Sequence, residues 1–148
     1  RDCLLSRGLG DVYKRQGNTE AMAAAMAEGA KDAGAEVELL TVDKADATAL
    51  SEAKAFALGC PAMGAEVLEE GEMEPFMAEL DSQIAGKTIA LFGSYGWGGG
   101  EWMRDWESRV VSDGAAVLSG EGIIADNAPD DDVLAECRAA GAKLAALV

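Results

Sequence analysis

The chain contains no histidine, and only three cysteines and three prolines among its 148 residues. Without histidine the commonest general base is missing, as are the Ser/His and Cys/His nucleophile pairs and most zinc sites. Hydrolytic chemistry of those kinds is not expected, and neither a catalytic residue nor a metal ligand set stands out. Cys3, Cys60 and Cys137 are odd in number and widely spaced, with no Cys-x-x-Cys pair, which argues against a disulfide framework or a thiol redox motif. Cys60 and Cys137 lie among apolar neighbours and are expected to pack in the interior. Positive charge is also scarce: 12 basic residues face 27 acidic ones, a formal charge of −15. Nucleic-acid binding needs a basic patch, so that partner class is excluded, whereas a basic protein surface would be attracted. No run of about 18 apolar residues is present to span a bilayer, and the N-terminus lacks a basic-then-apolar secretory pattern. The expectation is a cytoplasmic, membrane-free, monomeric protein.

What is present suits one globular core: 49% of residues are hydrophobic and 26% charged. Met22, Met26 and Ala30 recur at helical spacing between Asn18 and Ala33, with Gly34 as a stop. A second helix is expected over Glu74 to Ala85, from Phe76, Met77, Leu80 and Ile84. A third covers Trp102 to Ser112, and a fourth follows the acidic run Asp130-Asp131-Asp132, whose charge suits the positive end of a helix. Strands are expected at Glu36 to Val42, Phe56 to Cys60 and Thr88 to Phe92. Ala115 to Ala125 reads as one strand interrupted at Ser119-Gly120-Glu121-Gly122. This alternation predicts an α/β fold with a parallel sheet covered on both faces, needing one more strand before the first helix.

Ligands in such sheets collect at the carboxyl ends of the strands, which directs attention to three loops. Gly17-Asn18-Thr19-Glu20 opens the first helix, where free N–H groups and two polar side chains suit a phosphate, although the same residues also serve as ordinary helix caps. Cys60 to Glu70 carries Met63 and Gly64, a soft side chain beside a permissive backbone; an acidic loop leading into a helix is the plainer reading. In Gly93-Ser94-Tyr95-Gly96-Trp97-Gly98-Gly99-Gly100, glycines surround Trp97, so the indole suits stacking on a ligand better than filling a core. Trp102 and Trp106 sit on the third helix and read as core or pocket edge. Together the loops suit a flat heteroaromatic ring with a phosphate tail.

Residues 17 to 148 resemble the short-chain flavodoxins, small FMN-bearing electron carriers. Gly17-Asn18-Thr19-Glu20 looks like the end of their phosphate loop, and Cys60 to Glu70 like their second loop. Gly93 to Met103 resembles their ring-stacking loop, and Asp126 to Asp130 their turn into the last helix. The resemblance implies a flavodoxin-like doubly wound sheet of strand order 2-1-3-4-5. It further implies that Gly17, Asn18 and Thr19 hold the FMN phosphate. Met63 and Trp97 would cover the two ring faces, and Ser94, Tyr95, Gly96 and Gly98 would bind the cofactor from the loop that carries Trp97. Glu66 would accept from ring N3, and the Gly64–Ala65 peptide would turn so that the Gly64 carbonyl meets N5 of the one-electron-reduced ring. The implied activity is low-potential one-electron shuttling rather than enzyme catalysis. Its partners would be redox proteins with basic docking surfaces, namely reductases and iron–sulfur enzymes. The alternative is a flavodoxin-like NAD(P)H-dependent FMN or quinone reductase; a phosphorylated receiver domain would need an aspartate where Gly59-Cys60 stands, and a cofactor-free remnant would rest only on the anomalous N-terminus.

Residues 1 to 16 depart from the family. Lys14 and Gln16 replace two expected hydroxyls, and the segment is net +2 while the remainder is −17. With only Cys3-Leu4-Leu5 as an apolar run, it does not read as a central strand. The expectation is therefore a non-native, artefactual N-terminus followed by a flavodoxin-like domain over 17 to 148, with the first strand missing or replaced.

Overall fold

The computed structural model describes residues 9–13, 17–35, 37–41, 55–60, 73–95, 100–126 and 128–147. Its strands are β1 (Leu9–Tyr13), β2 (Val37–Thr41), β3 (Ala55–Gly59), β4 (Thr88–Tyr95), β5 (Ala116–Val117) and β6 (Ile123–Asp126). Its helices are α1 (Gly17–Asp32), α2 (Met73–Leu80), α3 (Glu101–Ser112) and α4 (Asp131–Ala145). All pairings are parallel, in the order β2-β1-β3-β4-β5, with β6 also on β4. The last position in the sheet is thus shared: Thr88 and Ile89 pair with β5, and Phe92 to Tyr95 pair with β6. The expected interruption is a 3-10 turn at Leu118–Gly120, entered through Ser119 at φ 62°.

Alternation along β3 divides the core between the two faces of the sheet. Phe56 and Leu58 pack with Met73 and Met77 of α2 and with Trp102 and Trp106 of α3. Ala55 and Ala57 face the other way, toward Met22 and Met26 of α1 and Ala140 and Leu144 of α4. Small residues on this second face let α1 and α4 meet backbone to backbone. A Cβ added at Gly29 would lie 1.9 Å from the Arg138 carbonyl oxygen, and one at Gly141 would lie 2.0 Å from that of Met26. Cys60 and Cys137 are both buried, one in each cluster.

Three elements differ from the sequence expectation. The segment that does not read as a strand supplies β1, which lies in the middle of the sheet between β2 and β3. A central position offers unpaired backbone donors and acceptors on both sides, and backbone pairing does not require an apolar side-chain pattern. The second helix ends at Leu80 rather than Ala85, because the chain turns there: Gln83 N–H donates to the Leu80 carbonyl and its side-chain amide to that of Glu79. Strand β4 continues three residues beyond Phe92, since β6 provides partners for Gly93, Ser94 and Tyr95. The acidic run caps α4 as expected, with Asp130 Oδ1 accepting from Val133 N–H at 2.9 Å.

Candidate cofactor site

The carboxyl ends of β1, β3 and β4 stand side by side, with Tyr13 in register with Gly59 and Gly59 with Phe92. Strand order reverses at β1, so α1 begins at the switch point of the sheet. In its first turn Thr19 is completely buried, and Ser94 near the end of β4 is 3% exposed. Thr19 Oγ1 accepts from the Ser94 backbone N–H at 3.4 Å and lies 3.4 Å from Ser94 Oγ. Two hydroxyls 75 positions apart in sequence therefore converge at a helix start, the kind of place where anions bind. Of the expected site residues the structure brings Thr19 and Ser94 together; Gly17 and Asn18 precede the one, and Tyr95, which packs on Trp102, follows the other. Met63, Gly64, Ala65, Glu66, Gly96, Trp97 and Gly98 lie outside the described residues.

The ends of β3 and β4 are tied by contacts that sequence reading did not find. Cys60 N–H donates to the Phe92 carbonyl at 3.0 Å, and the Cys60 carbonyl accepts from Trp102 Nε1 at 3.0 Å. A Cβ on Gly93 would come 2.0 Å from that same carbonyl oxygen, so only glycine permits the approach. The Trp102 ring is tilted 47° against Tyr95 with centroids 5.6 Å apart. Gly100, at φ 85°, turns the chain into α3 and places Trp102 there. Trp102 thus belongs to the core, one of the two alternatives expected for it. Trp106 belongs to the core, and its indole N–H meets no acceptor among the described residues. The only sequence hint of these ties was the glycine-rich loop preceding Trp102.

Acidic side chains rim this edge of the sheet. Glu101, Asp126 and Asp130 are exposed and Glu20 is half-buried, with Asp126 in register beside Tyr95. At the other end of α3, Arg109 forms a fork on Asp81, with Nε at 3.1 Å from Oδ1 and Nη2 at 2.7 Å from Oδ2, and reaches Glu74 at 2.6 Å. Burial works to raise the Asp81 pKa, but hydrogen bonds from Arg109 and Asp113 and the Arg109 charge outweigh it, holding it below the usual carboxylate range. Asp113 moves the opposite way: burial, then the facing Asp81 carboxylate, push its pKa up to about 6 against the pull of Arg109. A cavity of about 260 Å³ lies elsewhere, at the β5–β6 break beneath α4, between Leu118, Ile123, Ala140 and Lys143. No helix among the described residues is long and apolar enough to cross a membrane.

A doubly wound parallel sheet with a helix start and two buried hydroxyls at its switch point is an architecture that nucleotide-cofactor domains use. The buried hydroxyls of Thr19 and Ser94 fit the phosphate end of such a cofactor. The chain belongs to the flavodoxin family, whose sequence pattern it matches over residues 15–141. It is 46% identical over 115 residues to the flavodoxin of Clostridium beijerinckii, covering 78% of this chain and 83% of that one. With the Megasphaera elsdenii flavodoxin it shares 44% identity over 126 residues, 83% and 91% of the two chains. The solution structure of the two-electron reduced Megasphaera elsdenii flavodoxin superposes with a TM-score of 0.82 at 38% identity, covering 91% of this chain and 98% of that one. The protein is accordingly an FMN-binding electron carrier that works with redox partner proteins.

Proposed function

We propose that Gly17, Asn18 and Thr19, with Ser94, hold the phosphate end of FMN, and that the ring lies between the loops carrying Met63 and Trp97. In this reading Gly64, Ala65 and Glu66 meet the polar edge of the ring, while Tyr95, Gly96 and Gly98 shape the loop that carries Trp97. The observation that carries it is the buried pairing of the Thr19 and Ser94 hydroxyls at the head of α1. FMN, when bound, supplies a centre that takes and gives one electron at a time. The chain's own task is to orient the phosphate, shield one side of the ring from water and present an acidic rim. Glu101, Asp126 and Asp130 on that rim favour a basic docking surface on the donor and the acceptor, and long-range attraction speeds their encounter at low salt. We further propose that the carrier acts as a cytoplasmic monomer, and that residues 1–16 are a non-native N-terminus replacing the family's first strand. Finding codons for those residues in the genomic copy of the gene would overturn that last point.

Titration of the purified chain with FMN, followed by flavin fluorescence, tests the site. Strong quenching at one flavin per chain is the expected result, and the absence of quenching, even with a family-type strand and phosphate loop grafted onto Gly17, would overturn it. NAD(P)H oxidation by the FMN-loaded chain without an added reductase would instead favour a reductase.

A further inference from the structure

We propose that Trp102 is a positioning residue for electron transfer, holding the end of β3 to the end of β4 and thereby setting the spacing of the two loops that flank the flavin ring. The inference rests on the FMN reading above. The Trp102 indole N–H donates to the carbonyl of Cys60, the residue from which the second loop departs, at 3.0 Å. Its ring lies against Tyr95, the last residue of β4 before the third loop. Between these two attachments sits Gly93, where an added Cβ would come 3.2 Å from the indole and 2.0 Å from the Cys60 oxygen. Carbonyl, glycine and indole are therefore in direct contact, with no room for another side chain. Trp102 is 1% exposed, so water cannot replace the N–H donor if it is removed.

Trp106, one helical turn further along α3, is an internal control. It is equally buried at 1% exposure and belongs to the same core cluster, yet its N–H has no acceptor among the described residues. Removing either indole empties core volume and lowers stability. Only the loss of Trp102 also releases Cys60 from α3 and changes the support of Tyr95. The ring environment set by the two loops tunes the potentials of the cofactor, so a positioning role reaches the potentials, whereas a volume-filling role does not.

The test uses the full chain with Trp102→Phe and Trp106→Phe. FMN affinity is measured by fluorescence quenching, the two one-electron midpoint potentials by redox titration, and amide exchange at Cys60 and Tyr95 in the FMN-free protein by NMR. Trp102→Phe is expected to weaken FMN binding by up to about tenfold, the ceiling set by one buried hydrogen bond that is made within the chain, to change the separation of the two potentials, and to speed exchange at both amides. Trp106→Phe is expected to lower thermal stability while leaving affinity, potential separation and both exchange rates as in the parent chain. Equal effects of the two variants, or no effect of Trp102→Phe, would overturn the proposal. If the parent chain takes up no FMN, the affinities and potentials are read on the chain with the grafted strand and phosphate loop; loss of binding there too overturns the FMN reading, whereas unchanged exchange at Cys60 and Tyr95 in Trp102→Phe overturns the positioning role by itself. If Trp102→Phe fails to fold, benzothienylalanine at position 102 preserves the bicyclic shape, lacks the N–H, and is read by the same comparison.

Discussion

The Thr19 hydroxyl at the head of α1 lies 3.4 Å from the Ser94 hydroxyl near the end of β4, across 75 positions of sequence. Both side chains are buried, so neither finds its partners in bulk water. A phosphate at the start of α1 would be held by charge-assisted hydrogen bonds, each of about 1.5–3 kcal/mol. Thr19→Val keeps the shape and removes the hydroxyl. Its FMN dissociation constant is expected to rise roughly 10- to 100-fold while affinity for riboflavin, which lacks the phosphate, stays within about twofold. Parallel fluorescence titrations with the two flavins check this, and equal losses for both would place the hydroxyl away from the phosphate.

The contact of α1 with α4 makes a second prediction, about stability. Alanine is intrinsically better than glycine in a helix by about 1 kcal/mol, so Gly141→Ala would stabilise an isolated α4. In the folded chain the new Cβ would stand 2.0 Å from the Met26 carbonyl oxygen, and backbone atoms on both helices would have to move apart. Overpacking of that kind costs about 1–3 kcal/mol or more. Gly141→Ala is therefore expected to lower the urea midpoint, and an unchanged or higher midpoint would show that the helices can separate freely.

Asp113 provides a prediction with a definite sign in pH. Its pKa in the folded chain is about 6, above the ordinary 3.8, so the folded state keeps the proton over a range where the unfolded chain has released it. The stabilisation it contributes is complete below the ordinary value and is lost as pH rises through about 6. Asp81, held low by Arg109, has the opposite dependence and loses its contribution as pH falls. Asp113→Asn removes only the first effect and retains an N–H donor toward Asp81. Thermal midpoints of the variant and the parent should diverge in favour of the variant between pH 4 and 6, then run parallel toward pH 8. A difference that is constant over the whole range would show that Asp113 has an ordinary pKa.

Much of the architecture was legible in the sequence because it depends on local periodicity. Phe76, Met77 and Leu80 form the buried stripe of α2, and Asp130 caps α4, as their spacing implied. The parallel sheet covered on both faces followed from the alternation of helices and strands, whereas the strand order came from the family resemblance and matches the observed β2-β1-β3-β4-β5. Leu9–Tyr13 was not legible as a strand, since its place between β2 and β3 depends on backbone pairing with residues more distant in sequence. The early end of α2 was hidden for a similar reason: the apolar spacing continues to Ile84, while the turn after Leu80 is held by Arg109 on Asp81, 28 positions away.

By itself the sequence determined the helices, the interrupted last strand, the acidic surface and the three loops in which a flat, phosphate-bearing ligand would be sought. These follow from short-range spacing, charge and composition. Only the tertiary structure decided that Thr19 meets Ser94, that Trp102 rather than Trp106 joins the ends of β3 and β4, and that Asp113 faces Asp81. Each depends on two residues distant in sequence being brought together, and such meetings are set by how helices pack across the sheet, which no local pattern records.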